Sequence, residues 1–372
     1  MRMVRWLFAR HPALTVLFLV LAFVGAEAAL QLRLQLATGR SVFTAMFAEP
    51  TKVFDAELGF ETFRPNARIG GGRQTVVTNG LGFRSPPLVP EKAPGVLRLA
   101  FVGASTVFGA YTPRNEALMS YRAADTLSGM PDVTDVELFN AGLPGRGLGD
   151  QLLILERRVL PWQPDVVVFY PGMNDVSAVC RPDAPGDVAA APDRLEIPRP
   201  ALPGWLLSVE LLRKNTLFLR PDPDRGATGA TVTTADIPFD LLRARMDELL
   251  AATRRAGALP VVATLARAYH PEQPGGEQQR LSASMRYYHD CFDLPALHTN
   301  VDTFNDMLRA AAAASGAPVV ELAAAVPPGD AHFADATHFS VRGEAVAAEA
   351  VAAVLGTLLT APTGKRPQLA GE

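Results

Sequence analysis

Residues 96–109 read VLRLAFVGASTVFG, and this stretch sets the fold class. Val96 to Val102 is a short apolar run broken only by Arg98. Small residues and a serine follow, and then a new amphipathic pattern begins. A near-continuous apolar run of this length is the signature of a strand covered on both faces. The same unit recurs downstream, with candidate strands at Val133 to Asn140, Asp165 to Tyr170, Leu259 to Leu265 and Pro318 to Leu322. Helical periodicity falls between them, near Asn115 to Ser128, Leu148 to Leu160, Phe239 to Ala256 and Val301 to Ser315, and Val341 to Leu359 closes the pattern. Alternating strands and helices predict a five-stranded parallel sheet in a three-layer α/β/α sandwich with right-handed crossovers.

Upstream, the pattern changes twice. Arg2, Arg5 and Arg10 precede an apolar run that holds no charge until Glu27. This is the composition of a membrane-targeting segment, either a signal peptide cleaved near Ala26 to Ala28 or an uncleaved anchor continuing to Leu36. The unbroken helical pattern favours the anchor. Basic residues before the span would stay in the cytoplasm, which puts the rest of the chain on the other side. Residues 37–95 carry short strand-like pieces separated by turn signals, including Gly70-Gly71-Gly72, and read as a hairpin-bearing lead-in.

The expected organisation is therefore a helix over 1–36, the lead-in over 37–95, an α/β domain over 96–360 and a disordered tail over 361–372. Two insertions interrupt the domain, at 176–238 and 266–296. The first is proline-rich, with a short helix expected around Trp205 to Arg213. Both leave from the carboxyl ends of strands, where open α/β sheets bind ligands and where a lid would sit.

A formal net charge of −3 over 372 residues gives no basic field for a phosphate backbone, so nucleic acid is not expected as a partner. Cys180 and Cys291 are the two cysteines, one in each insertion. Beyond a membrane they could pair, or they could stay as two thiols; spacing does not decide.

Three loops follow strands and carry polar groups. Ser105 lies directly after the first strand. Asn140 to Gly145 follows the second, and Gly172-Met173-Asn174-Asp175 the third. A serine hydroxyl, a glycine N–H and an asparagine amide at one sheet edge are the parts needed to attack a carbonyl and hold the resulting oxyanion. After the fifth strand, Asp335 and His338 are three residues apart, so a carboxylate can sit on the far nitrogen of the imidazole. Asp330 and His332 would splay in an extended segment. A metal site from His332, Asp335 and His338 lacks a thiolate pair or an H-E-x-x-H pattern, and neither metal nor organic cofactor is expected.

In this arrangement the sequence resembles the SGNH/GDSL hydrolases, specifically their membrane-anchored bacterial members. Gly103-Ala104-Ser105, Asn140 to Gly145, Gly172 to Asp175 and Asp335 to His338 match the family's blocks in order, and Asn79-Gly80-Leu81-Gly82-Phe83-Arg84 in the lead-in is similar as well. The resemblance implies a flavodoxin-like SGNH fold. It makes Ser105 the nucleophile, His338 general base and acid, and Asp335 its orienting partner. The oxyanion hole would be Ser105 N–H, Gly145 N–H and the Asn174 side chain. Ala104 stands where the family usually has aspartate.

The expected protein is a serine esterase, anchored in the inner membrane with its catalytic domain periplasmic. It would hydrolyse, or transfer, an acyl or acetyl group on a glycan or other small envelope ester. A catalytically silent glycan-binding or assembly protein, or a lipase, are the alternatives.

Overall fold

The computed structural model describes residues 12–38, 50–71, 74–130, 133–180, 207–208 and 232–360. The chain divides into two compact units. In the smaller one, residues Pro12–Thr38 form a single helix whose stretch Pro12–Arg33 is long and apolar enough to cross a membrane. Glu27, on that helix, accepts hydrogen bonds from Gln31 Nε2 and from the backbone N–H groups of Leu207 and Ser208. Most of the first insertion, the expected helix from Trp205 apart from residues 207–208, and the tail 361–372 lie outside the described residues.

The larger unit contains the sheet. Its strands are β1 (Val96–Gly103), β2 (Asp135–Asn140), β3 (Val166–Tyr170), β4 (Leu259–Ala263) and β5 (Val319–Val320), all parallel, in the order β2-β1-β3-β4-β5. This is the doubly wound order of flavodoxin-like folds, with its switch point between β1 and β3. Every residue of β3 and β4 is buried, which explains their unrelieved apolar sequences. Arg98 sits in β1 only 1% exposed, with its guanidinium bonded to the Trp162 and Val89 carbonyls and to Glu137. Its charge is tolerated there because its donors are met.

The main helices are α1 (Ser105–Phe108), α2 (Met119–Ser128), α3 (Leu148–Ile154), α4 (Asn174–Val179), α5 (Phe239–Arg255), α6 (Leu294–Ser315) and α7 (Val341–Leu359). Right-handed crossovers put α2 and α7, which pack together, over one face of the sheet, and α3, α5 and α6 over the other. The three-layer sandwich is thus as expected.

Several boundaries differ from the expected ones. The helix after β2 is α-helical only to Ile154, continues as a π turn over Leu155–Val159 and ends in a 3-10 turn. Helix α6 begins seven residues before the apolar pattern does. There Asp293 caps it by accepting from Ala296 N at 2.8 Å, and Pro295 occupies the first turn.

The lead-in contains the expected hairpin, Lys52–Asp55 antiparallel to Phe60–Phe63, followed by short strands at Arg68–Gly71 and Gln74–Val77. Residues 51–69 and 74–95 belong to the same compact unit as the sheet.

Candidate active site

The register places Gly103 of β1 opposite Tyr170 of β3, so the loops after both strands open side by side at the switch point. Gly103 is required by close approach, since a Cβ there would overlap the Tyr170 carbonyl and the Val107 side chain. Two residues on, Ser105 opens the single turn of α1. Gly109 closes that turn in the left-handed region, at φ 70°.

Ser105 Oγ lies 2.8 Å from His338 Nε2. On the other side of the ring, His338 Nδ1 is 2.9 and 2.8 Å from the two Asp335 carboxylate oxygens. Asp335 Oδ1 also accepts from the backbone N–H groups of Thr337 and His338, which folds the three-residue spacing into a tight turn. Burial works against the Asp335 charge, but the hydrogen bond and charge of His338 together with these N–H donors hold its pKa below the ordinary value. The turn is gripped from both sides. The Ala336 carbonyl accepts from Ala268 N at 2.8 Å, and Ala336 N donates to Ser284 Oγ at 3.1 Å, both partners coming from the second insertion.

Tyr111 sets its ring edge-to-face against His338, with centroids 5.3 Å apart. Partial burial and the facing Asp335 carboxylate raise its hydroxyl pKa.

Asn174 begins α4, and its Nδ2 donates to the Arg146 carbonyl at 3.1 Å, leaving one amide hydrogen over. That contact ties it to the loop of Gly145, which is exposed at φ 79° with open space where a Cβ would stand. Arg146 continues the loop outwards, with its guanidinium 3.9 Å from the Phe60 ring centroid of the lead-in hairpin. Asp175 is buried and accepts from Leu148 N through both oxygens, at 3.1 Å each. Desolvation pushes its pKa up to about 6. Asp175 therefore anchors the start of α3 as well as the turn carrying Asn174. Asn140 is fully buried, donating to the Val107 carbonyl and to Ser120 Oγ, and so supports α1 from below.

The second insertion reaches the same place. His289 Nε2 is 3.1 Å from the Met173 carbonyl, and Cys180 at the end of α4 is disulfide-bonded to Cys291, with Cα atoms 5.2 Å apart. Of the two open possibilities for the cysteines, pairing is the one found.

Two charged residues escaped sequence reading. Arg84, completely buried, donates through Nη1 to the carbonyls of Phe108 (3.0 Å) and Gly109 (2.7 Å), through Nη2 to that of Thr112 (2.9 Å), and through Nε to Asn115 Oδ1 (2.9 Å). It thus satisfies the C-terminal carbonyls of the turn that starts at Ser105. Burial lowers it to about 10, so it stays charged. Glu344 of α7 accepts from the Thr112 hydroxyl at 2.5 Å and from Met119 N at 2.6 Å, and burial pushes it up to about 7. The Gly-Phe-Arg stretch of the lead-in was the one available signal for Arg84; Glu344 had none.

Asp330 pairs with Arg280 rather than with His332. Among the described residues no group of three His, Cys, Asp or Glu side chains is placed to hold a metal ion.

The sequence matches the GDSL-like lipase/acylhydrolase family over residues 101–346, well over half the chain, with the serine, asparagine and histidine loops all inside the match. The protein belongs to that family, whose members are carboxylic ester hydrolases. No curated protein matches it.

Solved structures that resemble it do so at low identity. A lipolytic protein of the G-D-S-L family from Desulfitobacterium hafniense DCB-2 is 12% identical, with 69% of this chain and 98% of that one covered at a TM-score of 0.41. An acetylxylan esterase from Geobacillus stearothermophilus is 15% identical, with 70% and 94% covered at 0.42. A GDSL-like lipase from Bacteroides thetaiotaomicron VPI-5482 is 14% identical, with 72% and 89% covered at 0.40.

Proposed function

We propose that the protein is a membrane-tethered serine esterase that removes a short acyl group, such as acetyl, from a carbohydrate or other envelope ester. The observation that carries this reading is the continuous line from Ser105 Oγ through His338 to Asp335, each step at 2.8 to 2.9 Å. Ser105 attacks the ester carbonyl as His338 Nε2 takes its proton. The Asp335 carboxylate fixes the proton on Nδ1 and stabilises the imidazolium that forms. The negative oxygen of the tetrahedral intermediate is held by Ser105 N–H, Gly145 N–H and the second amide hydrogen of Asn174. Collapse releases the alcohol and leaves an acyl-serine, which water then cleaves with His338 as base.

The apolar helix Pro12–Thr38 is read as an inner-membrane anchor with the catalytic unit in the periplasm. Its length and composition support that reading, as does the Cys180–Cys291 disulfide, a bond at home in an oxidising compartment.

Labelling with a fluorophosphonate tests the chemistry. Wild type should be labelled and Ser105→Ala should not; equal labelling of the two, or labelling of neither, sinks the esterase reading. Supplying an acetyl ester together with a glycan acceptor, and measuring free acetate against acetylated glycan, separates hydrolysis from transfer.

A further inference from the structure

Two tyrosine rings stand open to solvent near the triad. Tyr111, two residues beyond the Gly109 cap, is 56% exposed, and its ring contacts His338. Tyr288 closes the short helix Ala283–Tyr288 of the second insertion, is 55% exposed, and packs edge-on against Tyr287 at 5.1 Å between centroids. It is near enough to Tyr111 to act electrostatically on that hydroxyl. Single exposed aromatics are common on protein surfaces. What distinguishes these two is the part of the reaction they border.

The proton's route decides which half of the ester that is. His338 Nε2 takes the Ser105 proton as the new C–O bond forms. When the intermediate collapses, the bond from the carbonyl carbon to the alcohol oxygen breaks with its electron pair on that oxygen, which receives the same proton from Nε2. The departing alcohol must therefore lie on the imidazole side. A ring in contact with that imidazole borders the alcohol half of the substrate.

We propose that Tyr111, with Tyr288 as a second exposed ring, is a stacking platform for the pyranose ring of the sugar whose hydroxyl carries the acyl group. The inference rests on the esterase reading and adds the alcohol half of the substrate to it. A pyranose presents a C–H face that makes no hydrogen bonds, so covering it with an aromatic face sacrifices none, while its rim hydroxyls need polar partners that tyrosine hydroxyls supply. A long acyl chain fits this mouth poorly. More than half of each residue's accessible surface faces water, whereas a chain gains its binding energy from walls that remove it from water.

The test uses wild type, Tyr111→Ala, Tyr111→Phe and Tyr288→Ala, with kcat/KM measured on methyl 2-O-acetyl-xylopyranoside, ethyl acetate and p-nitrophenyl octanoate. Tyr111→Ala should lose about tenfold more on the sugar ester than on ethyl acetate, the scale of one aromatic stacking contact, and mainly through KM. Tyr111→Phe keeps the ring and should lose much less, and Tyr288→Ala should fall between. Equal losses on all three esters would overturn the proposal by showing that Tyr111 only steadies His338. So would the largest loss on the octanoate, which would make the surface a seat for an acyl chain.

A second arm separates this failure from failure of the esterase reading. Binding of unacetylated methyl xylopyranoside to Ser105→Ala, followed by NMR titration, should weaken when Tyr111→Ala is added. Sugar binding through Tyr111 without ester cleavage by wild type would leave the platform and remove the esterase. Titration curves unaffected by Tyr111→Ala count against the platform.

Discussion

His289 Nε2 lies 3.1 Å from the carbonyl oxygen of Met173, the residue just before Asn174. The second insertion thereby holds the turn that presents the Asn174 amide, and Cys291, two residues further on, bolts the same insertion to the far end of α4. Replacing His289 with leucine removes that tie, although the carbonyl keeps the backbone N–H groups of Val176 and Ser177, so the cost is about 0.5–1.5 kcal/mol. The expected result is a lower Tm together with a lower kcat, while Ser105 is still labelled by a fluorophosphonate. A variant with the Tm loss and an unchanged kcat would show that the contact serves stability alone.

Truncating the amide itself is a sharper probe. Asn174→Ala should lower kcat by about 10²–10³, with KM changed far less, if its amide is the oxyanion donor proposed above, since such a donor acts in the transition state. Steady-state kinetics on a short acetyl ester, with circular dichroism to confirm the fold, would check it.

The disulfide closes a sequence separation of 111 residues. On the chain-entropy account such a long loop gives a stabilisation of about 5 kcal/mol. Cys180→Ala with Cys291→Ala should therefore melt well below wild type. Thiol titration of the unfolded protein should find no free group before reduction and two after it; two free thiols without reductant would mean the bond does not form.

Stability should also vary with pH through Glu344. Its folded pKa, about 7, is above the ordinary 4.5, chiefly because burial disfavours the charge. Between those two values the folded state binds more proton than the unfolded one, so stability falls as pH rises from about 4.5 to 7 and then levels. Asp175, raised to about 6, adds a fall of the same sign at lower pH. The depressed Asp335 acts oppositely: its contribution is complete above its unfolded pKa and disappears as pH drops through the folded one. Glu344→Gln imitates the protonated acid, with an amide able to donate to Thr112 and accept from Met119. Its Tm should decline less than that of wild type between pH 5 and 8, measured by scanning calorimetry.

The parts of the fold visible in sequence are those in which a residue's environment depends on its neighbours along the chain. The strands β3 and β4 announced themselves because burial on both faces leaves no polar position to blur the run, and β1 did so with Arg98 as its single interruption. Asp335 and His338 were legible because a three-residue spacing is itself the geometry they need. Arg84 and Glu344 were not, since a charged side chain defaults to the surface unless its partners are known. Those partners are carbonyls, a hydroxyl and an N–H far away in the chain. The start of α6 was missed for a different reason: its first turns are fixed by the Asp293 cap and by Pro295, while the apolar stripe begins only at Val301. The π turn at Leu155–Val159 keeps an apolar spacing close enough to helical that no pattern reveals it.

The guanidinium of Arg84 has a practical consequence for anyone who wants the enzyme without its apolar N-terminal helix. A cut at residue 95 looks natural on paper, since the first long strand starts at Val96. It would discard the group that finishes the turn opened by Ser105 and leave several carbonyls there unanswered. A soluble version that begins near Thr51 keeps that support, so the two truncations should differ in whether they yield working enzyme at all.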